Sequence, residues 1–336
     1  MSDPRQAPAP QAVVLVDGYV PVIDLGLDRP GRPERRASVV RAVTRACETS
    51  GFFVVTGHGV PQGTIDRLHG VAREFFAGPQ HVKERVATSP MEPLQHGYSA
   101  YNGLEMYCAS RLGESDEAQD ARVVTARNRW PDQPRFREAF LDYYEAVSEL
   151  SLTIMGLMAS SLGLPADWFD DKFDSHMTPL GINHYPALTE PPSPGALRNE
   201  EHTDFGTVTV LNQDDGPGGL QVLDQNGGWL DVPPIPGTFV INLGRLTTMW
   251  TNDRWPSTVH RVVMPGPDQI HRDRMSIAFF FQPNSDALIE CVPSCTDEDN
   301  PPRHPGVRSG DYFTARSRRA FVRRSMQLKA QQNGTP

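Results

Sequence analysis

The stretch Glu201-His202-Thr203-Asp204-Phe205-Gly206 decides how the rest of the chain reads. It sets an imidazole and a carboxylate two residues apart. In an extended strand, residues i and i+2 point to the same face, so His202 and Asp204 can converge on one point. Taken alone the triplet is common, and its bland reading is a hydrogen-bonded pair at a strand end. Two later segments change the balance. His260 lies in the β-type run Ser257-Thr-Val-His-Arg-Val-Val263, far enough downstream for several strands to intervene and the chain to return. Arg274 and Ser276, in Asp273-Arg-Met-Ser-Ile-Ala-Phe-Phe-Phe281, form another i, i+2 pair.

Chemistry explains why these residue types belong together. Two imidazoles and one carboxylate suit non-haem Fe(II) and leave coordination positions open, whereas four thiolates or three imidazoles alone would favour zinc. A guanidinium is always charged and meets a carboxylate in two-pronged fashion, so Arg274 with Ser276 could clamp a small acid. Turned into a sandwich interior, Arg274 would cost on the order of several kcal/mol unless an anion met it. The alternative for Arg274 is a surface salt bridge at the start of a strand.

Around this centre the sequence changes character. Val13–Val16 and Tyr19–Leu25 read as a hairpin or two short strands, broken by Asp17-Gly18. Pro33–Thr49 and Gln62–Phe76 carry helical apolar spacing, with the short strand Phe52–Thr56 between them. Residues 78–133 are irregular, and mixed helix and loop is expected there. Pro134–Leu162 reads as a long helix stopped by Gly163, and Asp167–Phe173 as a short one. From Thr178 onward short β runs recur: Leu180–Tyr185, Thr207–Leu211, Gly219–Leu223, Trp229–Val232, Thr238–Leu243, Ser257–Val263, Arg274–Phe281 and Ala287–Val292. That spacing suggests a jelly roll or another closed sandwich rather than a βαβ sheet. Gly310–Lys329 reads as a closing helix. The fold class is therefore mainly β with α.

Composition narrows the class. The chain has 336 residues, 38% hydrophobic and 22% charged, with a formal net charge of -9. That is an ordinary globular composition, and nucleic-acid binders are more often basic. The Pro/Ala-rich start, Met1–Gln11, has no apolar leader segment and reads as a flexible tail. No run of about 18 apolar residues is present, so a cytoplasmic enzyme with no membrane partner is expected, as a monomer or simple homo-oligomer. Cys47, Cys108, Cys291 and Cys295 make no disulfide framework in so long a chain and read as free thiols.

Taken together, the residues resemble a known family. Asn183-His-Tyr-Pro186, His202-Thr-Asp-Phe-Gly206, Gly219-Leu-Gln-Val222, Gly237-Thr-Phe-Val-Ile-Asn-Leu-Gly244, His260-Arg-Val-Val263 and Arg274-Met-Ser-Ile-Ala-Phe-Phe280 occur in order. Together with Val20-Pro-Val-Ile-Asp-Leu25 and Gly51–Val60 they are similar to the isopenicillin N synthase-like family, which contains the 2-oxoglutarate- and Fe(II)-dependent dioxygenases. The resemblance implies a double-stranded β-helix core, residues 178–292, an N-terminal strand and helix region over 1–177 with the long helix packing on the core, and a C-terminal loop and helix over 293–336. It implies His202, Asp204 and His260 as iron ligands. Arg274, Ser276 and Tyr185 would hold the distal carboxylate of 2-oxoglutarate, and Asn183 would line that site. The cofactors implied are Fe(II), 2-oxoglutarate and O2, with ascorbate as a supporting reductant.

The reaction implied is hydroxylation, desaturation or ring formation on a small organic molecule, in the manner of secondary metabolism. Two other readings stay open: an iron oxidase of the same family that uses no 2-oxoglutarate, and a jelly roll that binds metal without catalysis. Two positions depart from the family pattern. The loop Met264–Asp273 is longer than in many relatives, and His184 stands where many carry tyrosine and is expected to face away from the iron. For substrate, Tyr98, Tyr101 and Phe281 are the candidates, from an irregular segment rich in aromatics (with Met106 and Tyr107) and from the strand of Arg274. The basic positions Arg316, Arg318, Arg319, Arg323 and Arg324 read either as a lid or as a solvated helix face.

Overall fold

The computed structural model describes residues 13–27, 33–88, 96–101, 103–114 and 126–317. The Met1–Gln11 tail, residues 115–125, and Arg318, Arg319, Arg323 and Arg324 lie outside them. In chain order the elements begin with β1 (Val14–Val16), β2 (Val22–Asp24), α1 (Pro33–Thr49), β3 (Phe52–Thr56), α2 (Gln62–Ala77) and α3 (Gln80–Glu84). The hairpin β4 (Gly97–Tyr101) and β5 (Leu104–Ser110) and the long helix α4 (Phe136–Ser161) follow. Then come β6 (Pro179–Tyr185), β7 (Leu197–His202), β8 (Val208–Gln213), β9 (Leu220–Leu223), β10 (Trp229–Asp231), β11 (Phe239–Leu243), α5 (Arg245–Trp250), β12 (His260–Val263) and β13 (Arg274–Phe281). Two short strands, β14 (Leu288–Ile289) and β15 (Val307–Arg308), pair with each other, and a last helical run covers 309–317.

The strands form two main sheets. One has nine strands in the order β1-β2-β3-β11-β8-β13-β6-β5-β4, and the other four in the order β10-β9-β12-β7. Their inner faces pack together through Val22, Phe52, Val54 and Val240 from the first sheet and Leu220 and Val222 from the second. The large sheet has a second apolar face. On β13, Met275, Ile277, Phe279 and Phe281 point to it and join the helix-side core with Phe140, Tyr144, Val147 and Ile154 of α4. The fold is a double-stranded β-helix backed by helices.

Period-2 alternation explains why one sheet serves two cores. On β13 the remaining residues, Arg274, Ser276, Ala278 and Phe280, face the barrel. The register carries that face outward: Ser276 pairs with Asn183, and Arg274 with Tyr185. Asn183 in turn pairs with Met106, and Met106 with Ser99.

Several expectations need correction. The segment read as mixed helix and loop supplies the β4–β5 hairpin, which extends the large sheet. Tyr98 and Tyr107 alternate with Ser99 and Met106, and the strands turn at Gly103, whose φ is 78°. The long helix starts at Phe136 because Arg135 has φ 67°, a left-handed backbone no helix can include. Asp167–Phe173 makes only a 3-10 turn, Asp170–Lys172. Its three aspartates are poor helix formers, while Phe169 and Phe173 anchor it in the core. No apolar alternation signals β7, since Leu197–His202 is almost wholly polar. The Ala287–Val292 run keeps only two strand residues and pairs with β15, outside both main sheets. All four cysteines are free.

Candidate active site

The two imidazoles sit side by side because β12 pairs with β7, and His260 is directly opposite His202. Their ring centroids are 4.2 Å apart. Asp204 does not share the strand of His202, as the i, i+2 reading expected. It lies in the loop after β7, held by the amide of Arg245, which donates to its carbonyl at 2.9 Å. A side chain on Gly244 would run into the Gly206 carbonyl, so this approach of the α5 turn to the Asp204 loop requires glycine.

The result is a convergent donor set. Asp204 Oδ1 lies 3.8 Å from His202 Nε2 and 3.9 Å from His260 Nε2. On the far side of each ring, His202 Nδ1 lies 2.7 Å from the Glu200 carbonyl and His260 Nδ1 3.2 Å from that of Thr258. A carbonyl only accepts, so both Nδ1 atoms carry the hydrogen, and in the neutral rings that a metal would bind both Nε2 lone pairs face Asp204. The other oxygen of Asp204 is saturated by the Thr209 hydroxyl and by Asn242 Nδ2 at 2.7 Å. Burial opposes ionisation of Asp204, but His260 and His202 beside it, with these two hydrogen bonds, outweigh that and set its pKa below the ordinary carboxylate value. Burial lowers the pKa of His260, which favours the neutral ring a metal needs. The three donors lie within 4.8 Å of one another and could hold one metal ion. Nitrogen and oxygen donors with second partners fixing each of them fit ferrous iron.

Farther along the barrel, Arg274 is 1% exposed. It donates from Nη1 to Ser276 Oγ at 3.2 Å and from Nη2 to Gln213 Oε1 at 2.9 Å, while its Nε is buried without a partner. Its Cζ stands 5.1 Å from the centroid of the Tyr185 ring. A buried guanidinium keeps its charge, its direct hydrogen-bond partners here are neutral, and the Asp214 carboxylate acts on it only from beyond contact. The arrangement fits a ligand carboxylate. Asn183 is on the same barrel face, opposite Ser276.

The substrate candidates divide. Tyr101 is paired with Leu104 on the barrel side of the β4–β5 hairpin. Tyr98 and Phe281 are not brought to the site. Tyr98 is 3% exposed, with its ring against Phe75 and its hydroxyl donating to Glu105 at 2.7 Å. Phe281 is fully buried and stacks on Phe173 at 4.4 Å, on the face opposite Arg274 and Ser276. His184 also faces outward, to Glu105 at 2.9 Å.

Thr209, Asn242, Gln213 and Phe205 escaped the sequence reading. Asn242 had a signal: a lone polar residue inside the apolar run Phe239–Leu243 must find a buried partner. Phe205 stays 37% exposed beside Asp204, with the Arg316 guanidinium 5.8 Å from its ring.

Comparison with known proteins agrees with this geometry. Residues 178–283 match the 2OG-Fe(II) oxygenase superfamily, and residues 20–133 match the N-terminal region described as non-haem dioxygenase in morphine synthesis. The 2-oxoglutarate-Fe(II) type oxidoreductase hxnY of Emericella nidulans is 33% identical over 307 residues, 86% of each chain. The validamycin A dioxygenase of Streptomyces hygroscopicus subsp. limoneus is 31% identical over 88% of this chain and 84% of its own. A full-length Neurospora crassa protein, crystallised in complex with alpha-KG and thymine, superposes with a TM-score of 0.82 at 27% identity, covering 92% of this chain and 100% of that one. The chain belongs to the 2OG-Fe(II) oxygenase superfamily and is a 2-oxoglutarate-dependent non-haem iron oxygenase.

Proposed function

We propose that His202, Asp204 and His260 are the iron ligands, and that Arg274, Ser276 and Tyr185 hold the far carboxylate of 2-oxoglutarate with Asn183 lining its path. The observation that carries this reading is the pair of Nε2 atoms at 3.8 and 3.9 Å from one carboxylate oxygen, each with its opposite ring nitrogen tied to a carbonyl. A ferrous ion held by His202, Asp204 and His260 would supply the dioxygen chemistry that couples decarboxylation of 2-oxoglutarate to oxidation of the substrate. The chain's own residues position and insulate. Thr209 and Asn242 keep Asp204 from turning, so one oxygen stays aimed at the imidazoles. Arg274 fixes the cosubstrate at one end of the barrel, and Val222, Val240 and Val54 keep the interior dry.

The substrate is a small, partly apolar organic molecule, met by Tyr101, Met106, Phe280 and the exposed ring of Phe205. Hydroxylation, desaturation and ring closure are all open to such a site, and a place in secondary metabolism is supported by relatives such as the validamycin A dioxygenase. The enzyme works in the cytoplasm, as a monomer or simple homo-oligomer, without nucleic-acid or membrane partners. Supporting this are the formal charge of -9 and the lack, among the described residues, of any helix long and apolar enough to cross a membrane.

The test is direct. Wild-type protein supplied with Fe(II), ascorbate, 2-oxoglutarate and O2 should form succinate, faster with a substrate than without. Asp204→Ala should lose both iron binding and oxygen consumption. An Asp204→Ala protein that still takes up iron and consumes oxygen overturns the ligand assignment.

A further inference from the structure

Arg198 sits on β7, four residues before His202, so their Cα atoms are separated by roughly 13 Å of strand. Only 8% of it is exposed. Its Nη1 is buried without a partner, and its Nη2 has only the Pro186 carbonyl, at a long 3.5 Å. The guanidinium stands 5.6 Å from the centroid of the Tyr185 ring, the same ring that lies 5.1 Å from Arg274. Two arginines thus meet at one phenol, at the end of β13 where Arg274 pairs with Tyr185. The triad is at the other end, where Phe281 accepts from Thr207.

The nearby carboxylates, Asp214 and Asp273, act on these arginines only from a distance and make their direct contacts elsewhere. Asp214 binds Arg73 at 2.9 Å and accepts from the amides of Met275 and Gly216. Asp273 pairs with Arg73 at 3.3 Å and lies 3.4 Å from His184. Among the described residues neither Arg198 nor Arg274 has a carboxylate within salt-bridge distance. Two adjacent buried cations repel each other, and leaving both unpaired is strongly unfavourable. An organic anion between them would satisfy both.

We propose that Arg198 is a second guanidinium of the cosubstrate pocket, acting with Arg274 on the far carboxylate of 2-oxoglutarate and setting the preference for a keto acid that carries one. This rests on the assignment of Arg274, Ser276 and Tyr185 to that carboxylate. Arg198 adds charge where the ligand's second negative charge ends, so it discriminates between 2-oxoglutarate and the same chain ending in methyl. It does not contact the keto-acid end and should leave binding of that end unchanged.

The experiment is equilibrium titration of the Fe(II) protein without oxygen, read as the visible absorbance of the bound keto acid, with 2-oxoglutarate and with 2-oxopentanoate. Arg198→Met should weaken 2-oxoglutarate by about tenfold or more, the loss of one charge-assisted contact, and leave 2-oxopentanoate within about twofold. Equal loss for both acids would mean that Arg198 only supports the fold, and no loss for either would mean that it does not reach the ligand. Either result overturns the proposal. Arg274→Met separates the underlying assignment: if it binds 2-oxoglutarate as wild type does, the pocket itself is misplaced, whereas a loss there with none in Arg198→Met sinks only the role of Arg198. Should Arg198→Met fail to fold, a crystal structure of the wild type with 2-oxoglutarate decides. A guanidinium within hydrogen-bond reach of the far carboxylate, directly or through one water, upholds the proposal, and one beyond it overturns it.

Discussion

Asn242 Nδ2 lies 2.7 Å from Oδ2 of Asp204, reaching across from β11 to a loop 38 residues earlier in sequence. With the Thr209 hydroxyl on the same oxygen, it leaves Oδ1 alone free to face the imidazoles. Two neutral donors of the protein therefore orient the carboxylate. Asn242→Leu keeps the volume and removes the donor. It should weaken Fe(II) binding by about 10- to 100-fold, the usual effect of losing a partner of a metal ligand. Calorimetric titration with Fe(II) or Mn(II) would measure it, and unchanged affinity would show that Asp204 needs no such support.

Glu105 gives the outer side of the large sheet a pH dependence. Burial works to raise its pKa, but hydrogen bonds from His184, Lys83 and Tyr98 outweigh it and bring the value down to about 2, from 4.5. Because the folded value lies below the unfolded one, the stabilisation is fully present above about pH 4.5 and is lost as pH falls toward 2. Glu105→Gln removes that titration. Chemical denaturation at pH 6 and pH 3.5 should show a smaller drop for Glu105→Gln than for wild type, and equal drops would mean the network does not hold the carboxylate ionised.

Much of this arrangement is legible without coordinates. The β-type spacing after Thr178 points to a closed sandwich, and His202, Asp204, His260, Arg274 and Ser276 are readable because chemistry restricts which residues can do their work. What escapes has physical causes. The β7 strand carries no apolar signal, since Leu197–His202 owes its place to pairing with β12 rather than to apolar alternation, and Arg198 is hidden with it. The β4–β5 hairpin is easily overlooked among irregular neighbours, although Asn102-Gly103 is a strong turn signal. Proximity in sequence points Phe281 to the site, but its parity on β13 places it with the helices.

Gln213 meets Arg274 Nη2 at 2.9 Å and is a neutral stand-in for an anion. Gln213→Glu would put a carboxylate within the protein against that guanidinium and compete with the cosubstrate. It should raise KM for 2-oxoglutarate more than Gln213→Ala does, by about tenfold over wild type if one charge-assisted hydrogen bond is diverted. Steady-state rates at saturating substrate would show this. A Gln213→Glu enzyme with wild-type KM would mean that Arg274 does not anchor 2-oxoglutarate.

Phe279 and Phe280 are neighbours on β13 with opposite duties. Phe279 is fully buried against Tyr144 of α4, ring centroids 4.9 Å apart. Phe280 is half-buried on the barrel face, with its ring over Gly181. Phe279→Ala should cost about 3–5 kcal/mol of stability, as large cavities in aromatic cores do. Phe280→Ala should cost about 1 kcal/mol or less, because its ring is not enclosed, yet raise KM for the organic substrate. Urea denaturation and steady-state kinetics on the two variants would check the pair. A larger stability loss at Phe280 than at Phe279 would reverse the assignment of faces along β13, and with it the placing of Arg274 and Ser276 toward the barrel.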